Sequence, residues 1–220
     1  MLMKAPVQVN SLIEEIVQRI EDAVDNGNLL PGQQLVEEKL VALWQVSRPS
    51  LREAFRVLES SGYVERKPRK GVFISMITPT SVIELYEIRA ALEGLAARLA
   101  VERCDPEVLA RLKALDSSMR NLPNDDKSLH YSEYNQIFHQ TLIEACGNAM
   151  LQKLLIPINK QAKRYRRVAH LDATLHTDSN LSHQEIIAFM EARDGLGAEQ
   201  ARRSRILKFA EYIAAKISAH

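Results

Sequence analysis

The stretch from Ser47 to Gly71, SRPSLREAFRVLESSGYVERKPRKG, holds seven lysines and arginines against three glutamates. The cations fall in two groups. Arg48, Arg52 and Arg56 recur every four residues, the spacing that keeps side chains on one helix face. Leu51, Ala54, Phe55 and Leu58 form an apolar stripe roughly 100° round the same helix, at 3.6 residues per turn. Ser47 is a good N-cap, and Pro49 is tolerated in the first turn. Ser61-Gly62 stops the helix. Tyr63–Arg66 and Val72–Ser75 then read as two short strands joined by the turn KPRKG, residues 67–71. The second group of cations, Arg66, Lys67, Arg69 and Lys70, crowds that turn. A helix with an arginine face followed by a basic-tipped hairpin points to duplex DNA. An α-helix fits the major groove, and arginine can pair bidentately with guanine O6/N7 or hold a phosphate.

Outward from this stretch, Val9–Asn26 shows helical periodicity, with Leu12, Ile13, Ile16, Val17, Ile20 and Val24 on one stripe. Asn26-Gly27-Asn28 ends it, Pro31-Gly32 turns the chain, and a second helix runs from about Val36 to Trp44. Three helices and a basic hairpin make a winged helix-turn-helix over residues 1–76. Ser47, Arg48, Ser50 and Arg52 occupy the end of the third helix that reaches base edges. Lys67, Arg69 and Lys70 lie on the wing, where Gly71 lets the backbone approach phosphates closely. An arginine face by itself is more often a solvated surface, here paired with Glu53 and Glu59. The lead-in helices and the basic hairpin decide for DNA.

The rest of the 220 residues is compatible with one further domain. Hydrophobic content of 46%, charged content of 26% and only 5% aromatic residues describe a globular chain rich in Leu, Ile, Val and Ala, which favours helices. The net charge of +1 carries no argument about nucleic acid, but the local surplus of four positive charges in residues 47–71 does. No apolar run approaches the roughly 20 residues that span a bilayer, and no secretory h-region is read at the N-terminus. Cys104 and Cys146 are expected as free thiols of a cytoplasmic protein. MITPTS, residues 76–81, reads as a linker. Beyond it helices are expected at about Thr80–Arg103, Pro106–Arg120, Asp125–Ala145, Asn148–Ala169, Ser182–Ala192 and Gly197–Ala219, with Leu171 to Asn180 as a break. The expected fold is mainly α: the winged domain, then an antiparallel all-α bundle over residues 77–220.

LPGQQLVEEKL (30–40) with VSRPSLREAFRVLESSGYVERKPRKGVFIS (46–75) resembles the winged-helix signature of the GntR family of bacterial transcription regulators, over residues 9–76. The resemblance implies DNA contacts at Ser47, Arg48, Ser50, Arg52, Lys70 and Gly71. Two positions depart from the family pattern. Glu38 stands where some members carry a DNA-contacting arginine, and Gln45 where a glycine commonly makes the turn.

YEIRAALEGLAARLA (86–100), NQIFHQTLIEACGNAML (135–151) and SHQEIIAFMEARDGLGAEQA (182–201) resemble the all-helical effector domain of the FadR-type branch, called FCD. The resemblance implies metal ligands at Asn135, His139 and His183, a set suited to one divalent transition metal of the Zn, Ni or Mn class. Asn135 and His139, four apart, share a helix face. The family's third histidine falls on Arg205, whose guanidinium has donors only and stays protonated. Two alternatives follow. Either a metal remains on three ligands with open positions, or Arg205 holds directly the carboxylate that a metal would have held, with Arg89 as a second anion-binding group. The second is favoured. Arg164 to Arg167 could face the cavity or the DNA side, and a solvated face is favoured.

The resulting expectation is a cytoplasmic, homodimeric transcription regulator, a repressor, that binds a palindromic operator in double-stranded DNA and responds to a small anionic carboxylate metabolite. No enzymatic activity and no membrane partner are expected. Two other classes remain open at this point. One is a helical metalloenzyme on Asn135, His139 and His183, which lacks a recognisable nucleophile or paired base. The other is an effector-independent DNA-binding protein, which would bind unrelated duplexes equally well.

Overall fold

The computed structural model describes residues 9–122, 129–168 and 175–219. The chain divides into two compact units, Met1–Ile77 and Thr78–His220.

The first unit contains α1 (Val9–Asp25), β1 (Gln34–Leu35), α2 (Glu37–Trp44), α3 (Arg48–Ser60), β2 (Val64–Lys67) and β3 (Gly71–Ile74). Ile16 and Ile20 of α1 meet the apolar stripe of α3, whose Leu51, Ala54, Phe55 and Leu58 have no exposed surface. That stripe forms because the four residues recur at helical spacing, and its burial points the arginine face outward. Ser47 caps α3 by accepting from the Ser50 N–H at 3.2 Å. Gln45 makes the turn between α2 and α3 in the left-handed region, at φ 53°. A non-glycine residue there costs about 1–2 kcal/mol, so the glycine position of the sequence pattern is filled at the expense of strain.

β2 and β3 pair antiparallel with Lys67 opposite Gly71, and β1 adds to the other edge of β3, giving the order β1-β3-β2. β1 was not expected, because two residues are too short for any alternation to register. It ties the wing to the lead-in of α2. The Gln34 side chain also donates to the Lys70 carbonyl at 2.7 Å. Gly71 has φ +103°, and a Cβ there would lie 3.2 Å from Gln34 Nε2. A glycine is therefore required for the wing to close on β1.

The second unit is an antiparallel bundle of α4 (Pro79–Glu102), α5 (Pro106–Arg120), α6 (Leu129–Ala145), α7 (Ala149–Val168), α8 (Leu175–Ala192) and α9 (Gly195–Ser218). Thr78 and Ser81 cap α4 reciprocally, each side chain accepting from the other's backbone N–H. Helix α4 runs against α9, and Gly94 allows the approach: a Cβ there would meet the Glu199 carbonyl at 3.2 Å. Ala97, Ala100, Val101, Leu112, Phe138, Leu142, Ile186 and Met190 make the core that α4, α5, α6 and α8 share.

The boundaries differ from expectation in one respect. Residues 175–180 belong to α8, where a break was read from their polarity. Each residue added to an established helix gains a hydrogen bond for one residue fixed, so a helix anchored on Ile186, Ile187 and Met190 propagates through a polar stretch. The expected start of α6 at Asp125 lies outside the described residues, as do residues 171–174 of the expected break.

Candidate nucleic-acid interface and effector site

Ser47, Arg48, Arg52, Lys70 and Gly71 are exposed, and Ser50 is half-buried beside its cap partner. The cations of α3 are not bare. Arg52 Nε donates to both oxygens of Glu37, at 3.0 and 3.3 Å, and Arg48 lies 3.6 Å from Glu38. Arg56 pairs with Glu53 at 2.9 Å, Arg66 with Glu59 at 3.8 Å and Lys67 with Glu65 at 2.9 Å. Exposed pairs of this kind contribute roughly 0–1 kcal/mol, so a phosphate or a base edge can displace them. For Arg52 displacement is not even required. Glu37 occupies Nε, and the two terminal nitrogens have no acceptor among the described residues. The two acidic residues at the start of α2 thus hold the two arginines of the first turns of α3. On the wing, Arg69 at φ 61° and Lys70 are exposed at the turn, and no carboxylate pairs with either among the described residues.

The second unit gathers a charged group in its interior. Tyr86, Arg89 and Glu93 share one face of α4, and Asn159, Ala162 and Arg166 share one face of α7. Arg89 Nε donates to Glu93 Oε1 at 2.8 Å and to Asn159 Oδ1 at 3.0 Å. Arg202 of α9 grips the other oxygen of Glu93 through Nε at 2.9 Å and through Nη2. The Tyr86 hydroxyl donates to the Ala162 carbonyl and accepts from Arg166. Arg89, Glu93 and Arg202 are 8%, 3% and 5% exposed, whereas Arg166 is half-buried at the edge of the group. Burial alone would raise the Glu93 pKa, but the guanidinium charges of Arg202 and Arg89 hold it down to about 2. Burial and the neighbouring Arg89 charge push the Arg166 guanidinium below its usual value, against the pull of Tyr86 and Glu93. Burial lowers Arg202 likewise, against Glu93. Among the described residues, Arg89 and Arg202 bond one carboxylate and Arg166 feels its charge. An ion left uncompensated in an interior costs several kcal/mol, so a surplus of positive charge here is costly unless something offsets it.

Beside this group stand the expected metal ligands. His183 Nε2 and Asn135 Oδ1 are 2.9 Å apart, and the His139 and His183 rings lie 5.2 Å apart between centroids. Phe138 packs on the His183 ring at 4.2 Å. Burial, followed by the charges of Arg202 and Arg205, pushes His183 down to about 3. Burial, then Arg202, His183, Arg89 and Arg166, holds His139 well below its usual value. Both imidazoles are neutral at pH 7, as ligation requires. The surroundings nevertheless do not fit a divalent ion held by protein alone. Its donors would be two imidazoles and an amide, all uncharged, and no group of three His, Cys, Asp or Glu residues suited to a metal occurs among the described residues. A ligating imidazole normally donates its second N–H to an acceptor, yet Nδ1 of His139 and of His183 is buried without one. The charges facing both rings are cations.

Sequence reasoning placed Arg89 in this group and singled out Arg205, which is half-buried and faces His183 electrostatically. It missed Arg202, one turn earlier, as well as Glu93, Tyr86, Asn159 and Arg166. Glu93 carried a legible signal: a carboxylate four residues after Arg89, set between Ala90, Gly94 and Ala97 on a buried face. The run from Arg164 was expected to be solvated. Instead Arg164 is 2% exposed and Tyr165 8%, because α7 turns this stretch toward α4.

The chain was compared with known proteins. Residues 12–74 match the family described as bacterial regulatory proteins, gntR family, and residues 84–207 match the FCD domain. The uncharacterised HTH-type transcriptional regulator YdhC of Bacillus subtilis is 32% identical over 146 residues, covering 66% of this chain and 65% of that protein. The uncharacterised HTH-type transcriptional regulator BphR of Paraburkholderia xenovorans is 30% identical over 203 residues, 89% of this chain and 80% of its own length. Among solved structures, McbR/YncC of Escherichia coli superposes with a TM-score of 0.67 at 20% identity, over 94% of this chain and 98% of that one, a likeness of fold.

Proposed function

We propose, from the premise that the chain belongs to the gntR family of bacterial regulatory proteins and carries an FCD domain, that it is a repressor whose operator affinity is set by a small carboxylate. Relatives of the chain act as regulators rather than enzymes, and several are named as repressors. The observation that carries the DNA reading is the exposed face of α3, with Arg48 and Arg52 held at its N-terminal end, beside a wing whose Arg69 and Lys70 are exposed. A homodimer would present two such helices to the two halves of a palindrome. Ile88 on α4 and Met150 and Leu154 on α7 are half-exposed or more, so neighbouring helices offer an apolar face to a second copy. The surplus of guanidinium charge around Glu93 supports an anionic effector. Such a ligand changes DNA affinity only by binding one arrangement of the DNA-binding units better than another. The segment from Met76 to Ser81, which ends in the α4 cap, joins the two units and would transmit the change.

The experiment is selection of bound duplexes from a random pool, followed by titration of the selected site. Arg52→Ala is expected to weaken binding to it by about 1–3 kcal/mol and to relax base preference at one position per half-site. Equal affinity for unrelated duplexes at physiological salt would remove the operator reading.

A further inference from the structure

Resting on the reading of an anionic effector, we infer that the ligand is a dianion held directly by Arg89, Arg166 and Arg202 without a metal ion. The charge balance carries it. Three guanidiniums from three helices meet one carboxylate, Glu93, and both neighbouring imidazoles are flanked by cations rather than acids. Among the described residues, these three guanidiniums and Glu93 hold two positive charges more than negative ones. Both oxygens of Glu93 are engaged, one by Arg89 and the other by Arg202, so its single negative charge is already shared between two guanidiniums. Arg89 uses Nε for Glu93 and Asn159 and also meets Tyr86, and Arg166 meets Tyr86; with five donors on each guanidinium, N–H groups remain for a ligand. Guanidinium forks bind carboxylate and phosphate oxygens in pairs. Two carboxylates on one carbon chain, or one phosphate monoester, supply the missing two charges. A divalent cation would add to the surplus that the ligand has to cancel, and its candidate ligands Asn135, His139 and His183 bring no anionic donor, while Nδ1 of both histidines has no acceptor among the described residues. His139 and His183, as neutral rings, then border the ligand as hydrogen-bonding groups.

The test uses the full chain after treatment with EDTA, with binding read by calorimetry. The probes are unbranched dicarboxylates of three to six carbons, inorganic phosphate, a sugar phosphate, and butyrate and hexanoate as monoanions. A dianion is expected to bind about tenfold or more tightly than the monoanion of equal length. Arg166→Gln is expected to abolish that preference, and Arg166→Lys to restore part of it. Arg166 has no bond to Glu93, so its loss leaves the Arg89–Glu93–Arg202 bridge in place, and an unchanged melting temperature without ligand checks this. Preference for dicarboxylates over phosphates, or the reverse, identifies which dianion the site takes. Equal binding of mono- and dianions overturns the inference while leaving the anionic effector standing. Binding that appears only when zinc or nickel is added back overturns the metal-free site. No binding by any probe overturns the inference and the anionic-effector reading together.

Discussion

Single residues decide what the two charged surfaces do. Glu37 is a case the arginine spacing alone would not reveal. By holding Arg52 Nε it turns the terminal nitrogens outward as a pre-set fork, which cuts the ordering cost of a bidentate base contact. Glu37→Gln removes the charge at nearly constant shape. The expected result is tighter binding to random duplexes, a steeper salt dependence and poorer discrimination at the position Arg52 reads. Unchanged discrimination would make the pair an ordinary surface bridge. In the effector unit, His183 and His139 are kept neutral by burial, whereas in the unfolded chain they protonate near 6.5. The unfolded state then binds more protons below that pH, so stability falls as the pH drops from 6.5 toward 3, where His183 itself titrates. Glu93 adds a loss of the same sign: its depressed pKa stabilises the fold above about 4.5, and that contribution disappears as the pH falls toward 2. By pH 4 the His183 effect alone is expected to reach about 3 kcal/mol. Scanning calorimetry checks this, and a melting temperature unchanged from pH 7 to 5 would show the rings to be solvated.

At the scale of elements, α3 is the clearest product of its sequence. A cap, a tolerated proline, four apolar residues at helical spacing and a glycine stop agree with one another, and the helix forms where they place it. The turn before it is different. Gln45 sits in the left-handed region, so Gln45→Gly relieves strain at the cost of greater freedom in the unfolded chain. The net expectation is a gain of about 0.5–1 kcal/mol, read as a higher denaturation midpoint. A loss would mean that the glutamine side chain contributes more than its backbone costs. The wing shows the limit of pattern reading: both hairpin strands were legible from β-branched and aromatic residues, while β1, two residues long, exists only because β3 offers it an edge. Helix α8 likewise extends through residues whose composition signals a loop.

For the whole molecule, the proposed function would need two copies and two units acting together. A dimer should bind a palindrome far more tightly than an isolated half-site, with the half-site centres about 34–36 Å apart or a multiple of that. Sedimentation with duplexes of varied half-site spacing checks this. A one-to-one complex with a single half-site, as tight as that with the palindrome, would refute the dimeric operator. What the sequence determined by itself is everything that depends on neighbours along the chain: helical periodicity, the cap at Ser47, the basic turn at 67–71, and the positions of Asn135, His139 and His183 on their helices. Tertiary structure alone decided which charges meet. Arg89 and Glu93 are four residues apart, but Asn159, Arg166 and Arg202 reach them from 70 or more positions away. A surplus of buried charge is a sum over residues that only packing brings together. The family resemblance marked Arg205 as the anion-binding arginine, whereas the contact between α4 and α9 put Arg202 against Glu93.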